Sequence, residues 1–441
     1  MRRILLSLAL AVVVVGIVDA QFKIRLRRST VATTVTYGPK STVTCPGGAT
    51  NITTATSAGI QAAIGAGSNG DAFCLNQASY TMTSSITPKT GQTFTCVYGT
   101  VLDATTGTYT DNQGVFGSLS MGDVDNVEIR NCELLGDASA EKGIIYWNDG
   151  DILTTAGDPD DWQILDNYVH GFGDVGVVFS HGAIVRRNKI CDNTRGGYSI
   201  YAPLTDVNMD DNEICNNGTD GSGVDKFQGY TDTAAAHVRR NYIHHNDGYG
   251  YWCDGNCIGS VIEDNTIEYN GISGLHLEIS LLGTVNDNII RFNSAHGILC
   301  STCGTTDFFN NTLEGNGQAG FLLQINCVST VQGWDWNPDL IENDIHDNTF
   351  INNGLWEAGF TYTATCPDGG DHDDNPGTPL IQFPNWVADY QNNAKNNEFY
   401  DNTYYMTDIT AFKWLWPGNQ NWAGWQSRPH STDSTSTRID N

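Results

Sequence analysis

Along its middle the chain repeats one short pattern of apolar and polar positions. An apolar residue is followed by a few polar ones, an Asn, any residue, and then Ile or another apolar residue. Clear copies are Ile164-Leu165-Asp166-Asn167-Tyr168-Val169, Val185-Arg186-Arg187-Asn188-Lys189-Ile190 and Val238-Arg239-Arg240-Asn241-Tyr242-Ile243. Others centre on Asn212, Asn265, Asn288 and Asn311, with weaker ones at Asn131, Asn348 and Asn397. The central spacings are 21, 24, 29, 24, 23 and 23 residues, and no α-helical period survives across them.

A fixed repeat of this length marks a solenoid. Three short strands and three turns need about that many residues, at about 3.3 Å per strand residue. Coiling such units in one direction stacks their strands in parallel, about 4.8 Å apart. Asn suits the turns because it tolerates left-handed backbone and its amide can bond to the Asn one rung above. The apolar residue two positions later, as in Ile190, Ile214, Ile243 and Ile267, then points into a continuous core. A leucine-rich repeat would carry a Leu ladder instead. The predicted fold is all-β, a right-handed parallel β-helix of about ten coils. Residues 41–365 are assigned to the β-helix and its N-terminal cap, the cap being a helix around Ile60 and Ile64. Residues 366–441 are assigned to irregular, Trp-rich C-terminal coils that cover the open end.

Three segments extend this reading: Pro88-Lys89-Thr90-Gly91-Gln92-Thr93-Phe94, the Asn repeat, and Trp422-Ala423-Gly424-Trp425-Gln426. Together they resemble the pectate-lyase-like superfamily of secreted right-handed β-helix proteins. The resemblance implies the fold and a carbohydrate-directed activity, and it supplies no complete active site.

The termini and composition bound the setting. Arg2 and Arg3 precede an apolar run from Ile4 to Val18, and Val18-Asp19-Ala20 has the form of a signal-peptidase site. A signal peptide over 1–20 and a basic leader over 21–40 are expected, giving a secreted, extracellular or periplasmic protein with no membrane contact after cleavage. The run is short for a membrane span. Twelve cysteines fit disulfides in an oxidising compartment. Cys191 and Cys215 each follow a repeat Asn by three residues and should meet on neighbouring rungs within disulfide range. The pairing of Cys253, Cys257, Cys300, Cys303 and Cys327 stays open from sequence, and redox setting ranks a zinc site at Cys300 and Cys303 below disulfides. The net charge of −28 excludes the basic footprint that nucleic acid requires. It favours a neutral glycan, or calcium-assisted binding. A monomer is expected.

Candidate chemistry comes from laying the Gly-led strands over one another: Gly250-Tyr251-Trp252-Cys253-Asp254, Gly274-Leu275-His276-Leu277-Glu278, Gly297-Ile298-Leu299-Cys300-Ser301 and Gly320-Phe321-Leu322-Leu323-Gln324. Strand alternation sends the first and third residues after Gly inward and the second and fourth to solvent. Trp252, Asp254, His276 and Glu278 then cluster, followed by Ser301 and Gln324. Asp254 and Glu278 occupy equivalent positions on adjacent rungs, the kind of carboxylate pair that glycosidic cleavage uses. One rung earlier, Gly223-Val224-Asp225-Lys226-Phe227 is ambiguous. Strict alternation buries Lys226, whereas a bulge or a one-residue shift turns it outward beside Asp254; Asp225 faces out in the other register. Asp371, Asp373 and Asp374 offer hard oxygen ligands for calcium but lack a full ligand loop. The Trp-rich end, with Trp334, Trp336, Trp414, Trp416, Trp422 and Trp425, admits both a sugar-stacking wall and end-capping packing.

Three functions follow. The first is hydrolysis of a polysaccharide by Asp254 and Glu278, with Trp252, Asp225, Ser301 and Gln324 binding substrate. The second is a lyase or epimerase acting on uronic acids, in which Lys226 or His276 removes a proton and calcium or Lys226 steadies the developing charge. The third is a non-catalytic glycan-binding or structural protein.

Overall fold

Three long sheets wind around one apolar core. The computed structural model describes residues 35–441 apart from 111–112, 119–121, 123, 147–160, 202–205, 219–226, 229–234, 255–256, 326–341, 363–396, 408–413, 416–418, 421, 427–434 and 441. All that follows concerns the unit Tyr37–Asn441.

Each coil contributes one strand to each sheet. In one such coil Val261–Glu263 lies in the first sheet, Thr266–Glu268 in the second and Leu275–Glu278 in the third. Among the described residues the first two sheets hold 13 strands each and the third holds 12. Every pairing between coils is parallel; one antiparallel pair, Trp414–Leu415 with Asn419–Gln420, closes the third sheet. The stack therefore exceeds the ten coils counted from the repeat. The early rung Thr93–Cys96 pairs with Ala72–Leu75 without any Asn at the corner that follows it, and Asn76, which follows Ala72–Leu75, is exposed rather than buried. Beyond residue 366, Glu398–Tyr400, Thr403–Met406 and Thr437–Asp440 add rungs to the first two sheets.

The corner between the first and second sheets explains the Asn repeat. The residue before each repeat Asn carries the left-handed conformation, as at Asp166, Arg187, Asp211, Arg240, Asp264 and Asp287, with φ between 55° and 57°. The Asn itself turns inward and is buried. The expectation that the Asn takes the left-handed turn is thus displaced by one position. Asn241 shows the full set of bonds. Its Nδ2 donates to Met209 O at 2.7 Å and to Asn265 Oδ1 at 3.0 Å. Its Oδ1 accepts from the Asn212 backbone N at 2.9 Å and from Asn212 Nδ2 at 3.0 Å. An Asn amide has two donors and two acceptor sites, and here all four are used.

Two of the weaker copies are reassigned. Asn131 sits at the left-handed position with φ 62°, and Cys132 takes the ladder slot, donating its N–H to Asn167 Oδ1. The ladder runs on from Asn311 through Asn348 to Asn402, while Asn397 stacks with Asn343 at another corner.

A second ladder lies at the corner between the second and third sheets: Asn193, Asn217, Asn246, Asn270, Asn293, Asn316 and Asn353. Each falls five residues after a member of the first ladder, a spacing visible in the sequence but not used above. Its amides occupy the space behind the glycines that open the third-sheet strands. A Cβ on Gly274 would lie 2.4 Å from Ile290 Cγ2 and 2.7 Å from Asn293 Nδ2. At the far end the buried Glu357 replaces the glycine, and its carboxylate accepts from Asn353 Nδ2 at 2.7 Å.

The helical cap spans Ser57–Ala66; Thr56 caps it by accepting the Gly59 N–H at 3.1 Å. Ile60 and Ile64, four apart on one face, are buried in the core. At the other end Trp414 and Trp425 are buried, with Trp414 against Trp422 and Trp425 against Phe399. These three pack as an aromatic plug; Trp334, Trp336 and Trp416 lie outside the described residues. Among the described residues five disulfides join Cys45–Cys74, Cys96–Cys132, Cys191–Cys215, Cys253–Cys257 and Cys300–Cys303. Cys300 and Cys303 are thus bonded to each other, and zinc is not their role. No helix among the described residues is long and apolar enough to cross a membrane. The expected signal peptide over 1–20, and the leader over 21–40 as far as residue 34, lie outside the described residues; further on, Gly38 N donates to Arg187 O at 2.9 Å and Lys40 Nζ pairs with Asp166 at 2.8 Å.

Replacing Asn241 with Ala strands buried donors and acceptors on both neighbouring rungs, each costing about 1–3 kcal/mol. Urea denaturation should show a loss of at least about 3 kcal/mol, against little change for the exposed Asn51→Ala. A loss for Asn241→Ala as small as that control would show that the ladder does not hold the coils together.

Candidate functional site on the outer face of the third sheet

Register decides which side chains share the outer face. Tyr251–Asp254 pairs with Leu275–Glu278, so Trp252 lies opposite His276 and Asp254 opposite Glu278. The next pairings continue the rows through Leu299 and Ser301 to Leu322 and Gln324. Tyr251, Cys253, Leu275 and Leu277 point into the core.

The outer face is itself packed. Leu299, Ala319 and Leu322 form an apolar cluster apart from the core, with Trp356 and Leu415 against it. Ile145, Val175 and Val178 form another at the opposite end. Between them Trp252, Asp254 and Glu278 are half-buried, as is Gln324 on the strand that carries Ala319 and Leu322. His276 and Ser301, expected at the solvent surface, point outward yet are buried, at 4% and 1% exposure. Neighbouring rings cover His276: Trp252 stacks on it at 5.6 Å and Tyr249 lies 4.8 Å away.

Trp252 Nε1 donates a hydrogen bond to Glu278 Oε2 at 3.0 Å, which ties the indole to the carboxylate one rung on. Tyr249 also packs on Trp252, at 4.9 Å between rings. Burial, reinforced by the Glu278 charge, raises the Tyr249 phenol above its ordinary range. Tyr249 was missed by an alignment that began at the glycines, because it immediately precedes Gly250. The same row brings in His296, just before Gly297. It is 9% exposed, its Nδ1 has no hydrogen-bond partner, and burial lowers its pKa to about 4.

The rung before Trp252 departs from the sequence alignment. Phe227 pairs with Ile200 on one side and with Cys253, not Asp254, on the other. This register keeps the apolar positions of three strands in one row, a one-residue shift from the alignment begun at Gly223. Asp225 and Lys226 lie outside the described residues, as do Asp371, Asp373 and Asp374.

Elsewhere Glu213, Cys215 and His244 approach within 4.8 Å of one another. The Cys215 sulfur is bonded to Cys191 and offers no thiolate, so this group is not a metal centre. Glu213 accepts from His244 Nε2 at 3.4 Å, and that bond holds its carboxyl below the usual range.

The winding and the ladders match one known family. This chain belongs to the right-handed beta helix region family. The match covers residues 52–258 and 227–333. No curated protein matches the sequence. Among solved structures, this β-helix resembles the A-module of the mannuronan C-5 epimerase AlgE6 from Azotobacter vinelandii. Identity is 15%, with 87% of this chain and 95% of that chain covered and a TM-score of 0.57. It also resembles a double mutant of the periplasmic alginate epimerase AlgG, at 16% identity over 67% of this chain and 73% of that one, with a TM-score of 0.52. At such identities the likeness establishes the fold of this β-helix protein and leaves its reaction to the site.

His296 carries a testable pH signature. An unfolded histidine takes up a proton near pH 6.5, whereas folded His296 does so only near pH 4. The unfolded state therefore binds more protons within that window, so stability is full above it and falls as the pH drops through it. The loss at pH 4 should be on the order of 3 kcal/mol relative to His296→Gln. Equal acid sensitivity in both proteins would contradict a buried, neutral His296.

Proposed function

We propose that this protein hydrolyses glycosidic bonds of an extracellular polysaccharide, with Asp254 and Glu278 as the carboxylate pair. The observation that carries the reading is their register on adjacent rungs beside an aromatic platform, with the Trp252 N–H held by Glu278. Adjacent strands lie about 4.8 Å apart, near the short separation of about 5–5.5 Å that retaining glycosidases use. The indole N–H stabilises negative charge on Glu278, which suits the nucleophile. Asp254 then gives its proton to the leaving oxygen while Glu278 attacks the anomeric carbon. Asp254 afterwards takes a proton from the water that displaces Glu278. Trp252 and Tyr249 supply ring surface for a sugar face. The five disulfides favour an oxidising compartment.

A second reading, epimerisation or β-elimination of uronic acids, has specific support in the Tyr249–His276 contact. A phenol and an imidazole with ring centroids 4.8 Å apart would serve as proton donor and acceptor in that reading. The two epimerases of similar fold add to it. Against it, the outer face from Tyr249 to Gln324 carries no Lys or Arg among the described residues to balance a substrate carboxylate. Lys226 is the candidate for that role.

The mature protein should release new reducing ends from one member of a panel of neutral and uronic polysaccharides, in calcium or in chelator. Glu278→Gln and Asp254→Asn should each lower kcat at least about hundredfold. Ultraviolet absorbance from an unsaturated uronide, or deuterium entering the sugar from heavy water without new ends, would instead establish the second reading. Full turnover in both variants would remove the carboxylate pair from the chemistry.

A further inference from the structure

The corner between the second and third sheets takes one left-handed residue per rung, immediately before each Asn of the second ladder. On successive rungs these residues are Asn216, His245, Tyr269, Phe292, Gly315 and Asn352, with φ between 47° and 60°. Asn and Gly suit that backbone, whereas a bulky ring is strained there. Tyr269 and Phe292 are also exposed, at 48% and 37%. Two rings thus sit where the backbone disfavours them, and outside the core.

They are nonetheless held in one row. His245 stacks on Tyr269 at 5.1 Å between centroids, and Tyr269 on Phe292 at 5.2 Å, with 25° between the planes of each pair. Rings in full face-to-face contact lie about 3.5–4.0 Å apart. These rings therefore overlap like shingles and leave part of each face open. Side chains of the second sheet brace the row. The His244 and His245 Nδ1 atoms share a hydrogen bond of 2.8 Å, and His244 Nε2 donates to Glu213 at 3.4 Å. The Arg291 guanidinium lies 5.6 Å from the Phe292 ring centre and pairs with Glu268, which also accepts from the Tyr242 hydroxyl at 2.8 Å. Beyond Phe292 the row ends on a glycine: a Cβ on Gly315 would lie 2.7 Å from Phe292 Cε1. Strain, exposure and bracing in one place mark a surface preorganised for a partner.

We infer that His245, Tyr269 and Phe292 form a second carbohydrate-contact surface, on which a polysaccharide chain lies along the helix axis. The open parts of the ring faces receive the C–H faces of pyranose units, and the row supplies one ring per rung. Two observations speak against a polypeptide partner. The backbone N–H groups of Tyr269 and Phe292 are bonded to Arg291 O at 3.3 Å and Glu314 O at 2.9 Å, so no strand can add here. Three stacked side chains also fall far short of the roughly 20–30 residues a side that a stable protein interface uses. The row borders the candidate-site face, five residues before Gly250, Gly274 and Gly297. A polymer anchored on it is kept beside that face.

The inference shares the glycan-directed reading proposed above but none of its catalytic residues. Its test is native electrophoresis of the full mature chain through gels containing neutral or uronic polysaccharides, with retardation giving a Kd. At least one polymer should retard the parent. The double variant Tyr269→Asn, Phe292→Asn should raise that Kd at least about fivefold. Its Tm should stay unchanged or rise, because Asn already holds this corner at 216 and 352. Tyr98→Ala, which removes an exposed ring elsewhere, should leave the Kd as it was. If the double change lowers the Tm, Tyr269→Asn alone decides by the same comparison of Kd. No retardation by any polymer would overturn the surface, and so would ring variants that bind within twofold of the parent. A lower Tm at unchanged Kd would assign the row to the stability of the fold alone. Full turnover in Glu278→Gln and Asp254→Asn, with retardation lost in the ring variant, would remove the carboxylate chemistry and keep this surface. Turnover lost in those two, with retardation unchanged in the ring variant, would do the reverse.

Discussion

A side-chain amide inside an apolar core is tolerable only when every donor and acceptor on it is satisfied, and along these ladders the satisfying groups lie on the neighbouring coils, except at the end where Glu357 takes Asn353. Asn241 bonds to Asn212 on one side and Asn265 on the other, and its Nδ2 also takes the Met209 carbonyl. No single coil can close that set of bonds alone. The two ladders therefore couple each rung to its neighbours. They also impose register, because a one-residue slip would swap a buried amide for a charged or apolar neighbour. The residue before each Asn turns the chain through left-handed backbone, which lets Asp, Arg, His or Tyr occupy the corner while the Asn points inward.

The same constraint shapes the candidate site. The second ladder fills the space behind the third sheet, so the strand openings at 250, 274, 297 and 320 hold glycine. With those positions set, alternation along each strand fixes which residues reach the outer face. Trp252 meets His276, and Asp254 meets Glu278, because Asn246, Asn270 and Asn293 are stacked behind them. Where the glycine gives way to Glu357, its carboxylate terminates the ladder by accepting from Asn353. A buried acid there ends an amide ladder, and chemistry need not be invoked for it.

Several features coincide on the outer face. It carries two acids, a cluster of rings, apolar packing at both ends and buried polar atoms without partners. Charged residues elsewhere pair across rungs, as Arg187 with Asp166 and Arg239 with Asp210. On the rungs from Tyr249 to Gln324 of the third sheet, Glu278 instead accepts a hydrogen bond from the Trp252 indole.

The sequence by itself determined the winding, the core rows and the facing of Asp254 and Glu278, because each follows from a period that a single chain displays. The Asn–x–apolar repeat sets the rung length, and strand alternation assigns the faces. Cys191 and Cys215 could be paired for the same reason: equal offsets from successive Asn residues become neighbours once the coils stack. The number of coils was not legible, since rungs such as Thr93–Cys96 stack without the Asn that reveals the others. The register of Phe227 was not legible either, because the added residues in that coil break the spacing that alignment relies on. Only the tertiary structure decided burial on the outer face. Direction along a strand is local, but whether Ser301, His276 or His296 meets solvent depends on what packs across the face from distant parts of the chain. The left-handed residues, the plug made by Trp414 and Trp425, and the site membership of Tyr249 and His296 were decided there as well, by contacts between rungs that no single repeat contains.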